Sequence, residues 1–352
     1  MAWLEIMLLL NYKPVLHQPT GIGVYANAVL PVFEQFEHVL IPGGGSGGWK
    51  ERLRRLAWSQ VQLPRLARKQ KANLIFTPAP EGYLGEQHVP QVVMVHDLRP
   101  LSHPDKSLQS IYFKNWVPHL LRQASFILTN SSFTANEICR ATDINESKVL
   151  VSHLGYDKEH FCTSISGGCT QFTTAPYLLH IGQHYPHKNL ERAIRAFASI
   201  SSKHRLTEFW IVGKEHHSET PRLKRLVTEL QMTKKGKFIN YLPYAELPSI
   251  YSNAAALLYP SLWEGFGLPI IEAMACATPV ITSIGSATEE IAGDAALLID
   301  PMSVGCISSA IDQVLSDRYL SQKLIHLGLQ RSNRFSWNAA KQSIVTAITS
   351  VS

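Results

Sequence analysis

Between Ala255 and Cys276 the chain runs from an apolar stretch ending at Leu257-Leu258-Tyr259, through Pro260-Ser261-Leu262-Trp263-Glu264-Gly265-Phe266-Gly267, into Leu268-Pro269-Ile270-Ile271-Glu272-Ala273-Met274-Ala275. A short apolar run closed by proline suits a buried strand, and a proline just inside a helical run can spare its N–H in the first turn. The stretch therefore reads as strand, glycine loop and helix, with the helix opening near Leu268. Two glycines one residue apart let backbone N–H groups turn outward and point, with the helix N-terminus, at one spot that suits a diphosphate. Glu264 stands before that loop and Glu272 one turn into the helix. A carboxylate repels a phosphate but accepts from a pair of hydroxyls, as an acidic residue does with ribose in dinucleotide folds. Amides in the middle and a diol-binding carboxylate at each end match sugar, diphosphate and ribose in a row. The plain alternative is a glycine turn with two solvated glutamates.

Strand, glycine loop and helix recur along the chain. The apolar residues up to Leu10 fit a first buried strand better than a signal peptide, since no basic region precedes them and no small-residue cleavage site follows. Thr20-Gly21-Ile22-Gly23-Val24-Tyr25 then forms a loop ahead of a helical run from Ala26 to Phe36, and backbone at Gly21 and Gly23 can approach a diphosphate. Short strands at 73–78, 92–95, 125–129 and 149–151 alternate with helices, as in a doubly wound parallel sheet. His96-Asp97-Leu98 lies at the carboxyl end of one of them, where open α/β sheets place ligands. Asn130-Ser131-Ser132-Phe133-Thr134 opens a helix after the 125–129 strand, with a serine placed to cap it. Residues 161–175, with Gly167-Gly168 and several Ser and Thr, have linker composition, so the chain divides into a domain at 1–160, that linker, a second domain at 176–334 and a final helix at 335–352.

The second domain opens with a strand at Tyr177–Ile181, the loop Gly182-Gln183-His184-Tyr185-Pro186-His187-Lys188-Asn189 and an amphipathic helix at 190–200. Lys188, at that helix start, sets an ammonium where phosphates would lie. Further strands fall at 209–212, 238–242 and 279–282.

At 352 residues the chain suits two domains of ordinary size. No apolar run reaches the roughly 18 residues of a membrane span. The five cysteines show no paired spacing, which fits reduced thiols in a cytoplasmic protein, and no His or Cys cluster has metal-ligand spacing. The net charge of +6 could serve nucleic acid, but no nucleic-acid-binding pattern accompanies it. Anionic nucleotide donors and anionic lipid explain it as well.

Glu264 and Glu272, with seven residues between, resemble the E-x7-E motif of the retaining glycosyltransferases of family 4, within a likeness that spans nearly the whole chain. The motif set most resembles bacterial mannosyltransferases of surface polysaccharide synthesis. The resemblance implies the α/β GT-B fold, two Rossmann-like doubly wound domains facing a cleft. It implies transfer of a hexose, mannose from GDP-mannose above others, from a nucleotide diphosphate sugar to a hydroxyl of a glycan or lipid-linked acceptor. It places Glu264 and His96 against the donor sugar, Glu272 against the ribose, and Gly265, Phe266, Gly267 and Leu268 against sugar and phosphates. Gly21 and Gly23 meet the diphosphate from the other side, and Lys188 touches it with Gln183 or His187 where the family has arginine. Segments around Gly213 and Leu242 hold the base. His96, Lys188 and Glu264 are thus the expected catalytic residues, with no metal and no cofactor. Two other readings share the architecture: a nucleotide-sugar epimerase, and a non-catalytic partner subunit that binds nucleotide sugar.

Residues 49–71 are basic, with Lys50, Arg52, Arg54, Arg55, Arg65, Arg68, Lys69 and Lys71 against one acid, Glu51. Trp49, Leu53, Leu56 and Ala57 fall on one side of a helix there, so the segment is expected either to pack that side on the sheet or to meet an anionic membrane surface. The expected location is the cytoplasm, at the inner face of the membrane if the segment binds lipid.

Overall fold

The computed structural model describes residues 6–16, 21–45, 48–86, 88–104, 107–163, 175–240 and 242–351. They form two compact units, one of Met1–Gly155 with Ser336–Ser352 and one of Tyr156–Phe335. The chain passes to the second unit at Tyr156, and of the linker expected at 161–175, residues 164–174 lie outside the described residues.

In the first unit β1 (Met7–Asn11), β2 (Glu37–Ile41), β3 (Leu74–Thr77), β4 (Gln91–Val95), β5 (Phe126–Thr129) and β6 (Val149–Val151) make a parallel sheet in the order β2-β1-β3-β4-β5-β6. β3 and β4 are buried at every residue, as strands covered on both faces must be. β2 gave no clear signal in the sequence, because it is an edge strand whose Glu37 and Leu40 are exposed and only Ile41 is fully buried. The helix Ser132–Thr142 starts as expected, with the Ser131 hydroxyl accepting from the Thr134 N–H. Gly21 and Gly23 do not form a loop. They belong to the helix Gly21–Val29, because the buried positions Ala26 and Val29 extend back one turn to buried Gly23. Past Val29 the chain tightens into a 3-10 segment, Leu30–Gln35, where Pro31 has no N–H to give a helical bond. The final helix, Trp337–Val351, packs on β5 and β6 of this unit.

In the second unit β7 (Tyr177–Ile181), β8 (Glu208–Val212), β9 (Gly236–Ile239), β10 (Ala256–Tyr259), β11 (Val280–Ser283) and β12 (Leu297–Ile299) are again all parallel, in the order β12-β11-β10-β7-β8-β9. Counted from β7, that is the doubly wound order whose direction reverses between the first and fourth strands, and ligands bind outside the carboxyl ends at such a reversal. The reversal lies between β7 and β10. The helix Leu190–Ile200 buries Leu190, Ala193, Ile194 and Phe197 at steps of three and four, and each large side chain so buried contributes about 1.5–3 kcal/mol. β9 ends at Ile239 rather than Leu242, since its one neighbour, β8, ends at Val212 and the Gly213 N–H closes the pairing on the Ile239 carbonyl. Leu242 therefore lies in the loop beyond the strand.

Candidate functional site

β7 delivers the loop from Gly182 into a 3-10 turn, Pro186–Lys188, and β10 ends on Tyr259, so Lys188 and Tyr259 emerge from the strands that flank the reversal. Lys188 Nζ donates to the Tyr259 hydroxyl at 2.8 Å and to Glu264 Oε1 at 2.5 Å. Both charged side chains are largely buried, 12% and 13% exposed. Burial pushes the Lys188 ammonium toward neutrality, but the Glu264 charge and then Tyr259 outweigh it and hold its pKa above the ordinary lysine value. For Glu264, burial is likewise outweighed by Lys188 and then by His187, leaving the carboxylate below its ordinary value. Both groups are charged, and the pair is a buried one. Asn189 fixes the loop: in the left-handed region at φ 59°, it donates Nδ2 to the carbonyls of Pro260 at 3.0 Å and Pro301 at 2.7 Å. The Leu262 N–H closes on the His187 carbonyl at 2.8 Å, tying the two loops together.

Past Glu264, Gly267 sits at φ +105°, where a Cβ would also come within 3.0 Å of Ile270 Cδ1, so the turn into the helix Leu268–Ala275 requires glycine. Phe266 is buried, its ring edge-on to Phe335 at 5.8 Å, which leaves only its backbone for a ligand. Glu272 accepts from the Tyr251 hydroxyl at 2.8 Å, and burial pushes its pKa up to about 7. Gly213 is a place of close approach, since a Cβ there would fall 2.0 Å from the Gly182 carbonyl oxygen. Gln183 is exposed and lines a small recess of about 60 Å³ with Tyr185, Lys214, Glu215 and His216.

The second unit thus gathers Lys188, Glu264 and the Gly265–Leu268 turn at the reversal, with Glu272 on the helix that follows. Gly213 and Gln183 border the neighbouring loops. In the first unit, His96 Nε2 bonds the Pro78 carbonyl at 3.0 Å, and its ring meets the Tyr25 ring edge-on at 5.0 Å. Burial lowers the His96 pKa to about 4, so the imidazole is neutral and Nε2 carries the proton that it donates. Gly21 and Gly23 begin the same helix as Tyr25, so this unit joins His96 to the glycine helix through one aromatic contact.

A model of the glycosyl transferases group 1 matches residues 170–331, and a model of glycosyltransferase family 4 matches residues 18–160. An O-antigen chain mannosyltransferase B from Escherichia coli is 31% identical over 278 residues, 75% of this chain and 72% of that protein. The chain belongs to the family 4 glycosyltransferases. A second relative, the O-antigen chain mannosyltransferase RfbU of Salmonella typhimurium, is 30% identical over 64% of this chain and 60% of its own length. Sucrose-phosphate synthase from Thermosynechococcus elongatus superposes with a TM-score of 0.81 at 18% identity, covering 99% of both chains. Anabaena HepE in complex with UDP-glucose gives 0.78 at 17% identity over 98% of this chain and 100% of that one. At those identities the likeness speaks for the fold, which is GT-B.

Three residues of this family 4 chain carried no functional signal in the sequence. Tyr259 and Tyr251 are apolar by pattern, one closing a strand and one on a short helix, and only the structure turns their hydroxyls onto Glu264's partner and onto Glu272. His180 is fully buried on β7, stacked on Tyr259 at 5.8 Å, and burial lowers its pKa to about 3. Its Nδ1 bonds the Leu258 carbonyl at 3.2 Å, so it props the strand pair beneath the site as a neutral ring.

The basic helix runs Trp49–Lys69, but its inward side differs from the expected one. Leu53 is 48% exposed and Ala57 faces solvent, while Ser59, Leu63 and Ala67 pack against the sheet. Continuing the helical period through the whole segment, rather than its first three turns, gives this result. Arg55 is spent on a two-pronged bond to Glu81, both contacts at 2.7 Å. No helix among the described residues is long and apolar enough to cross a membrane.

Proposed function

We propose that this glycosyltransferase is a retaining, metal-independent hexosyltransferase that moves mannose from a nucleotide diphosphate sugar to a hydroxyl of a glycan or lipid-linked acceptor. The observation that carries the reading is the buried Lys188–Glu264–Tyr259 cluster at the strand reversal, followed within one loop by an amide turn and Glu272. The identities to two O-antigen mannosyltransferases support the choice of sugar. Glu272 takes the ribose hydroxyls, the Gly265–Leu268 turn and Lys188 take the diphosphate, and Glu264 takes the sugar hydroxyls. Lys188 has three N–H donors, of which Glu264 and Tyr259 use two, so one remains for a phosphate oxygen. As the bond from the anomeric carbon to the diphosphate breaks, Lys188 stabilises the charge gathering on the phosphate oxygen. The acceptor oxygen then bonds to the same face of the sugar and passes its proton to that departing phosphate. No cofactor enters this scheme.

Thermal melting with GDP-mannose, UDP-glucose, UDP-galactose and dTDP-rhamnose tests it. A ligand that binds only the folded state at about 100 times its Kd stabilises by about 2.7 kcal/mol. GDP-mannose is expected to give the largest rise in Tm, and a protein indifferent to all four donors contradicts the reading.

The helix Trp49–Lys69 supplies the acceptor side of the proposal. Lys50, Arg54, Ala57, Val61, Arg65 and Arg68 recur at helical spacing, and all are exposed, with Val61 46% open. Cations flanking an exposed apolar strip suit an anionic lipid surface, at about 1 kcal/mol for each basic residue. Co-sedimentation with phosphatidylglycerol vesicles is expected to exceed that with phosphatidylcholine, to fall with salt, and to be lost when Arg54, Arg65 and Arg68 become Gln. Equal binding to both vesicle types contradicts the lipid role.

A further inference from the structure

A buried carboxylate stays charged only if a cation or hydrogen-bond donors offset its lost hydration. Among the described residues no cation pairs with Glu272. Burial acts to neutralise it, and the one opposing influence is the Tyr251 hydroxyl, donated to Oε2 at 2.8 Å. Tyr251, on the helix Leu247–Ser252, is wholly buried. Its carbonyl accepts from Thr278 Oγ1 at 2.6 Å, and the Phe161 ring meets it edge-on at 5.9 Å, so its backbone and ring are both held. Among the described residues, the other titratable groups that face Glu272 are Tyr244 and, at the end of its own helix, Cys276, and burial pushes each up to about 12, so both are neutral. Where the helices Arg318–Ser332 and Ala287–Ala292 pack near the Glu272 helix, Gly328 lies against Met274 and Thr288 beside Gly267.

We propose, resting on the reading of Glu272 as the ribose acceptor, that Tyr251 is the positioning residue of the nucleotide site. Its hydroxyl favours the charged form of the Glu272 carboxylate and leaves Oε1 as the oxygen that takes a ribose hydroxyl. Nucleotide uptake is therefore set by a tyrosine that itself touches no nucleotide, and it strengthens as the carboxyl loses its proton.

Calorimetric titration of the full chain with GDP, and with UDP as second probe, from about pH 5.5 to about pH 9 tests this on the native protein, Tyr251→Phe and Glu272→Gln. The phosphates of the probe titrate alike against all three. Tyr251→Phe is expected to move the midpoint of the affinity profile up by about one pH unit, which is about tenfold in affinity near pH 5.5, about fivefold near pH 7 and little near pH 9. Replacing Tyr251 by 3-fluorotyrosine keeps the ring and strengthens the donor, so the midpoint is expected to move down. A uniform loss for Tyr251→Phe at every pH, with an unmoved midpoint for fluorotyrosine, overturns the positioning role and leaves Glu272 at the ribose. Undiminished affinity of Glu272→Gln for both probes overturns the ribose reading itself. An infrared titration of the ligand-free Glu272 carboxyl, identified by its loss in Glu272→Gln, is expected to show the same midpoint shift for Tyr251→Phe, and an unshifted band overturns the role without reference to any nucleotide.

Discussion

Lys188 and Glu264 are worth more to each other than to the fold. Removing one partner of a buried ion pair strands the other, at about 3–5 kcal/mol, whereas replacing both with neutral groups of similar size is close to neutral. Lys188→Ala is therefore expected to lower the Tm sharply, and Lys188→Met combined with Glu264→Gln to recover most of it. The double variant, though folded, is expected to lose at least about 100-fold in transfer rate, because the phosphate charge is no longer met. Equal melting of Lys188→Ala and the native protein contradicts the coupling. At Glu272 the sign runs the other way. Its pKa stands at about 7 in the folded chain against 4.5 for an exposed glutamate, so the folded state holds that proton more tightly. The stabilisation is complete below about pH 4.5 and is lost as pH rises toward about 7. Glu272→Gln, neutral throughout, is expected to melt like the native protein near pH 4.5 and to exceed it above about pH 7 by up to about 3 kcal/mol. A gap between the two that does not widen with pH rules this out. Neither the tyrosine on Lys188 nor the one on Glu272 was legible in the sequence, because period and burial mark Tyr259 and Tyr251 only as apolar, and a hydroxyl's direction is a property of packing.

Among the elements, the loop before the helix Leu268–Ala275 was the most legible, since prolines, glycines and carboxylates each restrict the backbone there in a different way. Its tightest point is Gly267. Gly267→Ala forces a Cβ into a left-handed conformation against Ile270, an expected loss of about 1–3 kcal/mol of stability together with nucleotide affinity. Melting and calorimetry of the variant check both, and unchanged values for both would mean that the turn does not hold the anion site. Elements without such restrictions read less well. β2 is short and half polar because it lies at a sheet edge, β9 ends early because its neighbour does, and the helix at Gly21 starts within the glycines because burial runs back through Gly23. In the helix Trp49–Lys69, the first three turns point to the wrong apolar side, since Leu53 is left exposed and Leu63 and Ala67 define the packed face.

For the whole molecule, two parallel sheets of six strands follow from the recurrence of strand, loop and helix, and the strand order explains why the expected donor residues meet. Lys188 and Glu264 are 76 residues apart, yet β7 and β10 are neighbours, so the loops after them share one end of the sheet. Spacing within a single motif could not supply that pairing. The sequence signal lay in each residue's place just past the carboxyl end of a strand, and the reversal of strand order brought them together. The proposed reaction cleaves a nucleotide diphosphate sugar on its sugar side with retention. The measurement is proton NMR of GDP-mannose slowly hydrolysed by the enzyme without acceptor, read before the free sugar mutarotates, with the Lys188→Met and Glu264→Gln double variant as control. α-Mannose is expected to form first and to be absent from the control; β-mannose forming first, or release that persists in the control, contradicts the proposed reaction.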